Sequence, residues 1–318
     1  LESIGNVWLW ASFAIVVVLA LLADLALMRH GGPHRVGFRE ALYWSAGWVA
    51  LALIFNAGLW WYLVETAGEA VGNQIALEFL TGYLVEKSLA VDNIFVFLML
   101  FTYFGVPAQS QQRVLVFGVL GAIFLRAIMI FIGAALVAQF SWVLYLFGAF
   151  LLLTGIKMWR TAGQEPDMDR NPVLRWVTGH LPLIRRYQGE ALWIGQGSRR
   201  KYTPLFVVLV MIAVTDVIFA VDSIPAIFAI TTDPFIVLTS NVFAVLGLRA
   251  MFFMLAGLAD RFHLLPYGLA VVLVFVGAKM LIAGFYHIPV LVSLAVVVTV
   301  LALTMVLSLK LPPPAEHP

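Results

Sequence analysis

The chain has 318 residues, 63% of them hydrophobic and 11% charged, with no cysteine and a formal net charge of +2. Soluble globular proteins carry about 45–50% apolar and about 25% charged residues, so this chain lacks the polar surface needed to face water on all sides. The composition excludes a soluble enzyme and a nucleic-acid binder and, through the missing thiols, a disulfide scaffold, an Fe–S protein or a thiolate metal site.

The apolar residues fall in runs of roughly 20 or more, enough for a helix to cross hydrocarbon, without the two-residue alternation of a porin-type barrel. The expected fold is an all-α polytopic bundle, one membrane domain over 1–318, with nine transmembrane helices. The first window, 7–27, is too long and wrongly flanked for a cleaved signal peptide, and its Asp24 reads as reaching the interface. Window 38–63 carries Asn56, read as interhelical hydrogen-bond glue, and Trp60-Trp61-Tyr62, read as an outer aromatic belt. Window 76–103 holds Glu78 at its mouth and Glu86, Lys87, Asp92 and Asn93 in its interior; windows 113–138 and 142–160 hold Arg126 and Lys157.

The connection 161–202 is basic, and its apolar residues Val173, Leu174, Trp176, Val177 and Leu181 interleave with Arg175, His180, Arg185 and Arg186. It reads either as a segment on the lipid surface or as a solvated linker that enforces topology. Thr203-Pro204 predicts a capping hydroxyl followed by proline at the first helical position of window 203–231, which holds Asp216, Asp222, Ser223 and Pro225. Window 236–259 holds Asn241, read as glue, and Arg249; window 264–284 holds Lys279, and 288–309 is the last. Lys157 and Lys279 lie near span ends, where snorkelling accounts for them.

With these windows, 14 of the 19 Lys and Arg residues fall on one side and the other five inside spans. The positive-inside rule then puts the N-terminus outside and the C-terminus in the cytoplasm.

An internal repeat emerges from three landmarks in constant order. Glu86-Lys87-Ser88-Leu89-Ala90-Val91-Asp92-Asn93 matches Asp216-Val217-Ile218-Phe219-Ala220-Val221-Asp222-Ser223; Leu125-Arg126-Ala127 matches Leu248-Arg249-Ala250; Gly155-Ile156-Lys157-Met158 matches Gly277-Ala278-Lys279-Met280. They predict two three-helix repeats, 76–160 and 203–284, and the three-span offset inverts the second, as in secondary transporters.

Buried charges cost on the order of 2.5–3.5 kcal/mol each on insertion scales, so they mark a pathway or pair with one another. Four repeat carboxylates against Arg126 and Arg249 leave two negative charges, the complement of one divalent cation. The oxygen donors Glu86, Asp92, Asp216, Asp222, Asn93 and Ser223 suit Mg²⁺, Ca²⁺ or Mn²⁺, with Arg126, Arg249 and Lys87 as charge-balancing or gating groups. Six residues of helix turn the two acids of each pair about 120° apart, so either the helix breaks or each acid serves at its own depth. Pro225 points to a break in the 203–231 window.

At these residues the chain resembles the TerC family, and its Alx-like branch in particular. The likeness is carried by Gly82 to Phe101, Asp216 to Met251, Phe147 to Met158 and Val274 to Ile282. It implies a bacterial inner-membrane exporter of Mn²⁺ within the wider LysE superfamily, with the essential acids on Glu86, Asp92, Asp216 and Asp222. The expected partners are a divalent ion as cargo, the lipid bilayer and coupling protons, with no enzymatic activity, cofactor or nucleic acid; the oligomeric state stays open. Three other readings stand beside it: an intramembrane aspartyl protease, for which Gly-x-Gly-Asp is missing; an amino-acid exporter; and a scaffold assisting insertion or metallation of other membrane proteins. Mn²⁺ over Ca²⁺ rests on the resemblance alone.

Overall fold

A computed structural model of the chain describes residues 3–31, 37–162, 172–184, 186–189, 191–195, 200–256, 263–286 and 288–311, with the side chains of 27–31, 91, 92, 95, 109 and 173 outside that description. The described residues are all-α apart from one short ribbon. Its helices are α1 (Val7–Gly31), α2 (Phe38–Ala67), α3 (Glu69–Phe104), α4 (Ala108–Gln139), α5 (Val143–Thr161), α6 (Pro172–His180), α7 (Pro204–Phe228), α8 (Pro234–Leu246), α9 (Leu248–Leu255), α10 (Leu265–Ile282) and α11 (Val290–Lys310). The strands β1 (Trp193–Ile194) and β2 (Lys201–Tyr202) pair antiparallel.

Among the described residues, seven helices are long and apolar enough to span a membrane, and α8 with α9, bent by 40°, makes an eighth. Each expected window coincides with one of these elements or with α3. At 36 residues α3 would extend about 54 Å, far more than a bilayer core requires.

Punctuation follows side-chain chemistry. Gly105 ends α3 in the left-handed region at φ 60°, where a residue without Cβ is unstrained. Asp233 caps α8 by accepting from the Phe235 and Ile236 amides at 2.8 and 3.3 Å, and its second oxygen accepts from the Ile4 amide at 2.7 Å, tying down the chain start. Thr203 does occupy the N-cap of α7 ahead of Pro204, but its hydroxyl gives no cap. It donates instead to the Ala191 carbonyl at 2.7 Å, a correction that follows from its full burial beneath the connection.

The bend expected at Pro225 is also corrected. α7 runs unbroken to Phe228 with Pro225 inside its last turn, and the chain leaves the helix after Phe228 rather than at the proline. The break falls instead at Gly247, between α8 and α9.

Three apolar clusters form the interior. An aromatic group joins α1, α2, α3 and α8, with Phe55 and Phe243 ring centroids 4.7 Å apart and Trp10 edge-on to Phe235 at 4.9 Å. α5 and α10 meet backbone to backbone: a Cβ on Gly277 would stand 2.7 Å from the Gly148 carbonyl, and one on Gly155 2.9 Å from the Ala270 carbonyl. The described part of the connection is docked rather than merely solvated. Leu174 and Val177 of α6 are buried against the cluster that includes Leu205 and Val208, while Trp176 is exposed. Tyr187 donates to the Phe104 carbonyl at 2.7 Å, and burial pushes its phenol above the ordinary value, keeping it protonated as a donor.

Candidate cation site in the core of the bundle

α3, α4, α7 and α8 bring charge into the centre of the protein. Arg126 of α4 is 1% exposed and lies between two acids from different helices. Its Nε and Nη2 donate to the Asp216 carboxylate of α7 at 3.1 and 2.8 Å, its Nη1 donates to Glu86 of α3, and Asn241 Oδ1 of α8 lies 3.5 Å from the same nitrogen. The planar fork of a guanidinium suits this two-sided grip. Two carboxylates against one guanidinium leave the cluster one charge negative.

Helical periodicity decides which residues join it. Glu86, Ala90 and Asn93 are buried on one face of α3, and Asp216, Ala220 and Ser223 on one face of α7. In each helix the polar residue after the second aspartate shares the face of the first acid, as a seven-residue spacing requires. Asp222 is turned aside toward α5, where it interacts with the Thr154 hydroxyl and feels the charge of Lys157. Of the two arrangements open from sequence, α7 therefore shows an unbroken helix with its two acids on different faces. Asp92 lies in α3, with its side chain outside the described residues.

Several buried polar atoms here have no partner: Glu86 Oε2, Ser223 Oγ, Tyr83 OH and Asn241 Nδ2. Orphaned atoms of this kind are rare in a folded interior and point to a polar guest. Among the described residues, which leave out the Asp92 side chain, no three His, Cys, Asp or Glu side chains stand close enough to hold a metal ion together.

The other candidates are placed differently from their expected roles. Lys87 Nζ donates to the Ala244 carbonyl at 3.1 Å, at the C-terminal end of α8, and lies 5.9 Å from the Tyr83 ring centroid. Its charge complements the helix end freed by the break at Gly247. Asp24 does not simply reach the interface: it forms an ion pair with Arg249, each side chain 13% exposed, because α9 presents a cation to the inner face of α1. Lys279 does not snorkel; it is 8% exposed and feels the charge of Glu78, which is 6% exposed and accepts from Gln74 at 2.9 Å. Lys157 is exposed, and Asn56 donates to the Ala76 carbonyl at 3.2 Å, the interhelical role read from sequence. Thr154 and Tyr83 went unnoticed in the sequence, though Thr154 lies one turn before Lys157, and Tyr83 one turn before Glu86 and Lys87.

The fold and this core define a class: an all-α, multi-pass integral membrane protein with carboxylates and arginines gathered between its helices. More particularly, the chain belongs to the TerC family, whose description as an integral membrane protein family matches residues 71–313. It is 56% identical over 308 residues to an Escherichia coli K12 protein that carries the name membrane-bound redox modulator Alx, covering 97% of this chain and 96% of the relative, and equally so to its namesake of Shigella flexneri. A membrane protein of Myxococcus xanthus, STKORF319, is 47% identical over 307 residues, 96% of this chain and 93% of its own. No solved structure matches the chain.

Proposed function

We propose that the protein is a transporter that exports Mn²⁺ across the bacterial inner membrane by alternating access, with no enzymatic step and no cofactor. The observation that carries the reading is Arg126 held between Glu86 and Asp216, with oxygen and amide groups unsatisfied around them. A tethered guanidinium between carboxylates of two helices stands where a hydrated cation would be stripped and held. Glu86, Asp216, Asn93 and Ser223 form the inner station and Asp92 and Asp222 the flanking ones, and Arg126 gives way as the cation arrives. Carboxylates must be deprotonated to bind metal, so proton exchange accompanies it.

The two halves are 76–160 and 203–284, inverted relative to each other, with α3 completing nine spans and the termini disposed outside and inside as the basic residues direct. What supports the repeat is the α5–α10 contact. The offset that maps Gly155 onto Gly277 maps Gly148 onto Ala270, so the close contacts Gly148–Gly277 and Gly155–Ala270 exchange into each other, as across a two-fold axis. A redox role, as in the relatives' printed name, would have to run without any thiol of this chain.

The test is Mn²⁺ flux into proteoliposomes with an internal pH dye, comparing wild type, Asp216→Asn and Asp222→Asn. Flux with opposed proton movement in the wild type, abolished by Asp216→Asn, is the expected result. Equal silence of wild type and variants under every ion gradient overturns the proposal.

A further inference from the structure

Arg249 holds, in Leu248-Arg249-Ala250, the place that Arg126 holds in Leu125-Arg126-Ala127, yet the two arginines are used differently. Arg126 lies within the unbroken α4 and takes both Glu86 and Asp216. Arg249 lies just beyond the 40° bend and is paired with Asp24 of α1, with its Nε buried and unpartnered. The bend adjoins the acidic core, since a Cβ on Gly247 would stand 2.6 Å from the Lys87 nitrogen, and Lys87 follows Glu86 in α3. Asp24 itself lies outside both repeats and outside the stretch that matches the family.

We infer that Asp24 is a positioning residue for the cation site: by pairing with Arg249 it keeps a second guanidinium away from Glu86 and Asp216, so that the core stays net negative. The inference rests on reading those carboxylates as a cation site. With Arg249 held aside, Glu86 and Asp216 face one arginine. α9 packs against α3 and α4, the helices that carry Glu86 and Arg126, so a released Arg249 would put a second positive charge next to acids already shared with Arg126. Two like charges within a few ångströms repel strongly in a low-dielectric interior, and an incoming divalent cation would meet that field.

The experiment measures equilibrium Mn²⁺ binding to the purified protein in detergent, because turnover also depends on gating. Asp24→Asn is expected to weaken Mn²⁺ binding by about tenfold or more, and Asp24→Asn/Arg249→Gln to restore it to within about threefold of wild type. Unchanged affinity in the single variant, or weakening that the double variant does not repair, overturns the inference and leaves Asp24 a structural anchor of α1. A metal-free arm separates this from failure of the transport reading. In EDTA, Arg126→Gln leaves Glu86 and Asp216 without their cation, and Asp24→Asn in that background frees Arg249 to replace it. The double variant is expected to give more folded protein and a higher Tm than Arg126→Gln alone; an equal or lower yield and Tm overturns the inference. Wild type that binds no Mn²⁺ while this rescue holds would remove the proposed function and keep the role of Asp24.

Discussion

At the scale of single residues, the core triad makes an asymmetric prediction. Arg126, Glu86 and Asp216 are each at most 1% exposed, so removing the cation strands two carboxylates, whereas removing one carboxylate leaves the arginine doubly bonded to the other. Arg126→Gln should cost about 3–5 kcal/mol, the scale of breaking a buried ion pair from one side, and Glu86→Gln distinctly less. Denaturant unfolding in a fixed detergent checks the order, and a larger loss for Glu86→Gln contradicts the pairing. The acids and Arg126 were legible in the sequence because charge inside an apolar run stands out. Who pairs with whom was not, since partners across helices depend on azimuth and tilt. The charge count does not carry over: Arg249 pairs with Asp24, so the Glu86, Asp216 and Arg126 cluster is one charge negative rather than two.

At the scale of elements, glycine has two different uses, and substitution separates them. A Cβ on Gly277 meets the Gly148 carbonyl and the Leu152 amide nitrogen, both at 2.7 Å, and neither backbone atom can yield without parting α5 from α10. Gly277→Ala should therefore destabilise by about 1–3 kcal/mol, as overpacking does. Gly58, in the interior of α2, has nothing within 4 Å of such a Cβ, and Gly58→Ala should raise stability by up to about 1 kcal/mol through helix propensity alone. Thermal unfolding of the two variants tests this, with Tm falling for the first and not for the second. Helix positions were legible from the apolar windows, because length and hydrophobicity alone dictate them in a bilayer. The break was misplaced because proline is the stronger signal in a sequence, whereas Gly247 in Val245-Leu246-Gly247-Leu248 looks like one more small residue. Only its neighbours explain it: Lys87 fills the space beside Gly247 and binds the carbonyl of Ala244.

At the scale of the whole molecule, the proposed transport takes its direction from orientation, and the positive-inside rule reads orientation from the connection between α5 and α7. That segment carries seven of the basic residues and packs its α6 against α7, so it is both the charge that selects the side and a fixture of that side. The chain contains no cysteine, so a single introduced thiol reports its own side without background. Trp193, 45% exposed in β1, and Thr66, exposed at the end of α2, stand on opposite sides in the nine-span arrangement. In sealed inside-out vesicles an impermeant maleimide should label Trp193→Cys and spare Thr66→Cys, with the reverse in right-side-out vesicles. Labelling of both from one side would mean an even number of crossings between them, and the inverted relation of the two halves would fall with it. Labelling with both assignments exchanged would keep the repeat but turn the molecule over, and carboxylates reached from the cytoplasm for export would then be reached from outside for uptake.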